Sequence, residues 1–581
     1  MTVSPLPGSR DVSAHAQISF LGVPARDLND VRVLGSMTGA HAGRLMPYSQ
    51  GNGASFLPFR PFAQGESVSV RAKLRIGARA RPLSDEFAVA EHDPISSTPE
   101  TIHPGGPGEV QSFRSRPDLH PPVVTVNVRS AAAAAGDEFV APYTGPGQAG
   151  PMILGPSGEL LWFKPLPAHT YATNLQVQGY AGRPVLTWWQ GDISVHGFGL
   201  GEDVIDDQSY SEIAHVRAGN GLRADLHDFQ LTPQGTALVT AYAPIRCRLS
   251  SVGGSPNGAL TDSVLQEIDV RTGLVMFEWS SLDHVALSES YEAASRSTGS
   301  SPYDFFHINS ISRDPDGSLL VSARNTWTVY CLDAASGRIV WRLGGKRSSF
   351  AMGAGTATAW QHDPRELPDG SISIFDNGAS PAVHGQSRGI VVSLNSRQRT
   401  ATLLDQLLHT PPLVAESQGN LQALPNGDWF LGWGQLADFS EFNAAGELLF
   451  DAHFPRRTQS YRDFRFTWTG TPVDPPAFVV RSDAQGAETV YASWNGATLV
   501  AGWRVLAGAS PSELSPIAQV PSSGFETAIA LPYGNLAPDM TVQALNAQGA
   551  VIGTAPTLST EALSINAEGP ASTAEGPSVV R

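Results

Sequence analysis

From about residue 123 to 480 the chain repeats one short pattern: a Pro or Asp, then a Gly, then a run in which apolar residues alternate with polar ones. The copies are LTPQGTALVTAY (Leu231 to Tyr242), DPDGSLLVSARN (Asp314 to Asn325), LPDGSISIFDNG (Leu367 to Gly378) and LPNGDWFLGWG (Leu424 to Gly434). Alternation with a period of two predicts strands, and the Gly-bearing tetrapeptides predict the turns that start them. Outer strand pairs follow some copies: TVYCLDAASGRIVWRLGG reads as strand, turn, strand, and VLQEIDVRTGLVMFEW has the same shape. Repeated four-stranded units of this kind predict a β-propeller, in which each blade buries its faces against its neighbours. Six blades are expected, at roughly 123–165, 174–215, 227–280, 307–344, 362–404 and 418–455. Segment 281–303 is polar and is expected to be a loop carrying one short helix.

The pattern changes at both ends. ISFLGV, VRVLGS and SVSVRAKLRI alternate between turns, which predicts a small Ig-like β-sandwich over 15–85 after a flexible start at 1–14. Residues 86–122 are rich in Pro, Gly and Ser and read as a surface linker. Alternation returns in TVYASWNGATLVAGWRVLAG, FETAIALP and TVQALNAQGAVIG, which predicts a second Ig-like or fibronectin-like sandwich over 485–556. The last stretch, 557–581, is Ser, Ala, Glu, Gly and Pro with little hydrophobicity and reads as a disordered tail. The expected fold class is therefore all-β: a six-bladed propeller with small sandwiches on either side.

Composition sharpens this reading. The 581 residues include 58 Gly and 44 Pro but only 16% charged residues, a balance that favours turns and strands over long helices. The formal net charge of −16 argues against nucleic-acid or anionic-membrane partners, which want a basic surface. No apolar run approaches the ~18 residues of a membrane span. The start, MTVSPLPGSRDVSAHAQ, has no apolar signal core. Either the protein is cytoplasmic, or a leader has been removed and it is secreted or held at the cell envelope. Two cysteines, Cys247 and Cys331, rule out a Cys-rich zinc site and leave one disulfide or two free thiols open.

Three histidines sit at one phase of the repeat. His227 precedes LTPQGTALV, His307 precedes DPDGSLLV, and His362 precedes LPDGSISIF. Equivalent positions on successive blades form a ring around the axis, so the three are expected to converge. Arg324 and Asn325 end the strand that begins after His307. Three imidazoles can also hold zinc, but a neighbouring Arg would repel the cation, so no metal is expected. A purely structural role for each histidine is the bland alternative. The remaining reading is an anion site with a nucleophilic or acid–base histidine.

WQHDPRELPDGSISIFDNG, FFHINSISRDPDGSLLVSARN and HDFQLTPQGTALVTAY resemble blade motifs of the 3′-phosphoadenylyl-sulfate-independent arylsulfotransferases and of the arylsulfotransferase-like proteins of actinobacteria and fungi. YAGRPVLTWWQGD with GFGLGED is similar to that second branch, and SWNGATLVAGWRVLAG with GFET resembles its tail domain. The resemblance covers about residues 120 to 480. It implies a six-bladed propeller that moves a sulfuryl group from an aryl sulfate to a phenol, through a sulfohistidine and by a ping-pong cycle. On this resemblance the nucleophile falls on His362, the second histidine and the arginine on His307 and Arg324, and the acid–base histidine on His227. The partners it implies are a small aryl sulfate and a phenolic acceptor, with no cofactor; a homodimer is left open.

The chemistry is coherent on its own terms. Arg324 can give two charge-assisted hydrogen bonds to sulfate oxygens and a protonated His307 a third, at about 1.5–3 kcal/mol each. His362 must be neutral to attack, and His227 can protonate the leaving phenolate. Asn325 and Asn377 join them as substrate-binding candidates, and Trp188, Trp189 and Trp433 could wall an aryl pocket. Other chemistry on an anionic or aryl substrate in the same pocket, or a non-catalytic binding module, are the competing readings. Gly385 to Gly389 matches a nucleophile-elbow pattern, but a strand follows where a helix is required. GGKRSS lacks the spacing of a phosphate-binding loop, so an adenylyl-sulfate cofactor is not indicated. His103, His120, His169, His196, His284, His384, His409 and His453 lie off the repeat phase and read as surface or structural.

Overall fold

The computed structural model describes residues 1–76, 79–93, 105–194, 197–297, 301–532 and 537–559. The tail expected over 557–581 lies outside them from residue 560 on, as do His103 and His196. The chain is all-β. Its described helices are one turn at Ser281–His284 and short 3₁₀ turns, of which Leu287–Glu289 and Ala294–Arg296 lie in the expected loop 281–303.

The repeated turn forms the same way in each copy. The Gly N–H donates to the carbonyl three residues back: Gly235 to Thr232, Gly317 to Asp314, Gly370 to Leu367 and Gly427 to Leu424, at 2.8–3.0 Å. Each Gly takes a φ of +77 to +91°. A Cβ there would touch nothing within 4 Å, so the demand for Gly is conformational, not spatial. The strands that follow, such as Leu319–Ala323 and Ile372–Asp376, are buried on both faces.

The middle of the chain forms five sheets. Asp137–Val140, Met152–Leu154 and Leu160–Phe163 are joined by the distant strand Phe464–Phe466. A continuous eight-stranded sheet runs from Tyr171–Tyr180 to Val275–Ser280. Ile308–Gly344 and Ala351–Leu407 give one sheet each. The last sheet combines Asn420–His453 with Thr125–Arg129. The leading strands pack on one another in turn, from Asp137–Val140 through Tyr171–Tyr180, Ala224–Leu231, Ile308–Arg313 and His362–Glu366 to Asn420–Ala423. Contact of Trp429–Gly432 with Phe464–Phe466 completes a closed ring. Apolar side chains fill the space between successive sheets, as where Leu320 and Val329 meet Ile374 and Ile390.

The start of the chain differs from expectation. Within the expected flexible start, Thr2–Ser4 forms a strand that pairs with Ile18–Leu21, and Val3 is buried in the N-terminal core. Two four-stranded sheets share that core, which contains Phe20, Val33, Val68 and Val70. This unit docks on the ring where Ser19 Oγ donates to the Val275 carbonyl at 2.5 Å. The C-terminal unit has two sheets around Val490, Trp503 and Val542. The stretch before residue 122 clasps that unit, since Ser115 donates through both N–H and Oγ to Glu526. Cys247 and Cys331 are free thiols. Among the described residues no helix is long and apolar enough to cross a membrane.

Candidate active site

The leading strands carry irregularities where chemistry is needed. Ladder register breaks between Ala224 and Phe229, between Ile308 and Ser310, and between His362 and Arg365. Such bulges re-aim side chains that would otherwise follow strict alternation. His307, Trp360 and Gln418 also hold left-handed backbone, with φ of 57°, 59° and 66°. For residues with a Cβ this costs about 1–3 kcal/mol each, and surrounding structure must hold it in place.

His227, His307, Arg324, Asn325 and His362 line one cavity of about 400 Å³, together with Tyr143, Tyr303, Asp304, Gln418, Gln459 and Tyr461. The expected convergence of the three histidines and the arginine is thus present. His362 is buried and its tautomer is fixed by its surroundings. The Asn377 amide donates to the Ala415 and Gln418 carbonyls at 3.0 and 2.9 Å. Its Oδ1 must therefore face His362, and it accepts from Nδ1 at 2.7 Å. The Trp360 carbonyl takes the same proton at 3.0 Å. On the far side, the Gln418 N–H donates to Nε2 at 3.2 Å. His362 is therefore neutral, with its proton on Nδ1 and a lone pair on Nε2. Burial, reinforced by the charge of Arg324, holds its pKa well below the ordinary imidazole value.

Arg324 lies 4.7 Å from the Trp360 ring and uses two N–H groups, one to Asn325 Oδ1 and one to the Glu416 carbonyl, both at 3.1 Å. The guanidinium has five N–H donors, so donors remain for an oxyanion. Asn325 in turn donates to the Asp304 carbonyl at 2.6 Å, which ties the arginine to the histidine-bearing loop.

His227 and His307 form a pair. Their Nε2 atoms are 3.2 Å apart, and the Nδ1 of each is bonded to a carboxylate: Asp225 for His227 and Asp304 for His307. A carboxylate only accepts, so each Nδ1 carries a proton. The facing Nε2 atoms then need one proton between them. Burial lowers the His227 pKa, against the opposing pull of Asp225. The pair can give up that proton to a leaving oxygen and take one back.

Beneath the histidines lies a buried ionic cluster. Arg462 donates to Asp228 Oδ1 and to the Asn309 carbonyl, both at 2.8 Å, and Arg365 donates to Asp228 Oδ2 at 2.9 Å. Asp363 binds Arg365 at 2.6 Å. Asp228 is held below its usual value by these two guanidinium groups, although burial opposes them. Among the described residues no group of three or more His, Cys, Asp or Glu is arranged to hold a metal ion.

Several expected substrate contacts lie elsewhere. Trp188 packs on Trp162 and Lys164, and the Trp189 indole donates to the Ala224 carbonyl at 2.9 Å. Trp433 is buried against Phe375 and donates to Ser440 Oγ at 2.9 Å. None of the three lines the cavity. Aromatic walls come instead from Tyr143, Tyr303 and Tyr461. Asn377 stands behind His362 as a positioning group and does not line the cavity. Asp225, Asp304 and Gln418 were not anticipated. The short spacings Asp225-x-His227 and Asp304-x-x-His307 are the signal that would have found the two carboxylates.

Fold and site together define an all-β protein that gathers three histidines and Arg324 around one cavity. Residues 176–455 match the family model for arylsulfotransferase (ASST). This stretch, just under half of the chain, holds all four residues, and the match supports a likeness to the arylsulfotransferase family. No curated protein matches the chain. Among solved structures, a protein of unknown function from Bacteroides caccae is 13% identical, covering 57% of this chain and 99% of its own, with a TM-score of 0.36. Inactive virginiamycin B lyase from Staphylococcus aureus is 10% identical over 61% of this chain and 87% of its own, with a TM-score of 0.22. A GH43 protein from Bacillus licheniformis is 11% identical over 68% of this chain and 93% of its own, with a TM-score of 0.28. At these TM-scores the likenesses carry no argument.

Proposed function

We propose that the protein transfers a sulfuryl group from an aryl sulfate to a phenol, through a sulfohistidine on His362. The family match supports the reaction class. The observation that carries the reading is the neutral, Nδ1-protonated His362 in one cavity with Arg324 and with a histidine pair that holds a transferable proton. The ring is read as a six-bladed propeller over 123–480, with Ig-like units at 15–85 and 485–556.

In the first half-reaction His362 Nε2 attacks sulfur. The N–S bond forms as the S–O(aryl) bond breaks, and the departing phenolate takes the proton held by His227 and His307. Arg324 binds sulfuryl oxygens throughout, and charge-assisted bonds of this kind contribute about 1.5–3 kcal/mol each. Acceptor phenol then enters, returns a proton to the histidine pair, and its oxygen displaces His362 from sulfur. Proton transfer by such a pair is worth roughly 10²–10⁴-fold. The cavity of about 400 Å³ lies within the range of small-molecule sites.

The test is turnover of p-nitrophenyl sulfate with a phenol acceptor by wild type and by His362→Ala. The variant is expected to stay folded and lose transfer. Rapid quenching of wild type with donor alone should leave one sulfuryl group on the peptide containing His362. A variant that transfers at the wild-type rate would reject the proposal.

A further inference from the structure

Tyr461 lines the cavity, and among the described residues its hydroxyl meets no hydrogen-bond partner. It comes directly after the last repeat and is 2% exposed. A buried hydroxyl left without a partner costs about 1–3 kcal/mol, and in a cavity wall a bound ligand is one way to recover it. Its ring centroid is 5.4 Å from that of His227 and 6.2 Å from that of His362, so the phenol neighbours both the nucleophile and the proton pair. The guanidinium of Arg462, 5.5 Å from the ring, is bound to Asp228 and the Asn309 carbonyl, so the axial cluster holds the ring from below. Burial pushes the phenol well above its ordinary pKa, so it stays protonated and can only donate to an anion.

We infer that Tyr461 is a further catalytic residue, whose hydroxyl donates a hydrogen bond to an oxygen of the sulfuryl group as that group passes between phenol oxygen and His362 Nε2. This rests on the sulfuryl-transfer reading. Tyr461 keeps its proton in both half-reactions: the bond that breaks is S–O(aryl), the bond that forms is N–S, and the leaving oxygen is protonated by the histidine pair. The phenol stabilises charge on sulfuryl oxygens that Arg324 alone does not surround.

The experiment compares wild type and Tyr461→Phe on two donors, p-nitrophenyl sulfate and the more basic leaving group of phenyl sulfate, with kcat and KM resolved. Tyr461→Phe removes only an unpartnered oxygen, so the fold is retained; melting curves of the two proteins check this. The expected result is a fall in kcat on the order of 10- to 100-fold, equal for both donors, with KM little changed. A variant within twofold of wild type overturns the role of Tyr461 and leaves the transfer reading standing. A loss that grows with the basicity of the leaving phenol also overturns it, since the hydroxyl would then serve the leaving oxygen. Wild type that transfers no sulfuryl group to any phenol removes both.

Discussion

His227 and His307 face each other through their Nε2 atoms at 3.2 Å, while Asp225 and Asp304 occupy the Nδ1 atoms behind them. The pair is a unit with one proton to give, and its two carboxylates decide where the remaining protons sit. Asp225→Asn should break that arrangement, because an amide can donate to Nδ1 and turn the tautomer around. A loss of kcat on the order of 10²-fold is expected, largest for donors with basic leaving phenols. A plot of log kcat against phenol pKa, steeper in the variant than in wild type, is the measurement.

The charge of Arg324 is one of the two main causes of the low His362 pKa; burial is the larger. The acid limb of kcat/KM attributable to His362 should therefore lie below the ordinary value of 6.5 in wild type. Arg324→Gln removes the cation, so that limb should move to higher pH, along with weaker donor binding. A limb that stays in place would show that the arginine acts on substrate alone.

The same shifts bear on stability. His227 and His362 both have folded-state pKa values below the ordinary imidazole value. As pH falls below about 6.5 the unfolded chain takes up protons first, and the folded state loses the stability these neutral rings provide above that value. Chemical denaturation between pH 7.5 and 5 should show this decline, and His362→Gln should flatten it.

Asp228, buried together with Arg462, accepts from it and from the partly exposed Arg365. Asp228→Asn leaves Asp363 as the one carboxylate between two guanidinium groups, and breaking a buried pair costs up to about 3–5 kcal/mol. Urea denaturation should register a loss of that order even though Asp228 touches no substrate.

Trp188 belongs to the core between sheets, packed on Trp162. Trp188→Ala is expected to destabilise by about 3–5 kcal/mol while KM for aryl sulfate holds at the wild-type value. A raised KM in a protein of unchanged stability would return this residue to the substrate wall.

The repeat phase made much of this readable in the sequence. LTPQG, DPDGS, LPDGS and LPNGD mark turns that the structure forms with one hydrogen-bond pattern, and the histidines ahead of three of them do converge. The tryptophans misled because strands inside the ring are buried on both faces. Alternation there no longer separates a pocket side from a core side, and only packing decides. Asp225 and Asp304 reach their histidines through a bulge and a left-handed residue, geometry that composition does not announce. Tyr461 lies past the last repeat, where no phase exists to flag it. Thr2–Ser4 finds its strand partner more than a dozen residues on, so a short polar start read as slack.

Two of the ring's sheets borrow a strand from the opposite end of the chain: Thr125–Arg129 joins Leu448–His453, and Asp137–Val140 joins Phe464–Phe466. During synthesis the first seam must wait until His453 has left the ribosome and the second until Phe466 has. A nascent chain stopped anywhere between Ala224 and His453 therefore carries open strand edges at both ends, the state most prone to pairing with the wrong neighbour. Contacts across more than three hundred residues also make closure slow, because the loop entropy must be met before the seam returns any of it. Once shut, the two seams lock each other, and the cavity they encircle exists only in a molecule finished to that point.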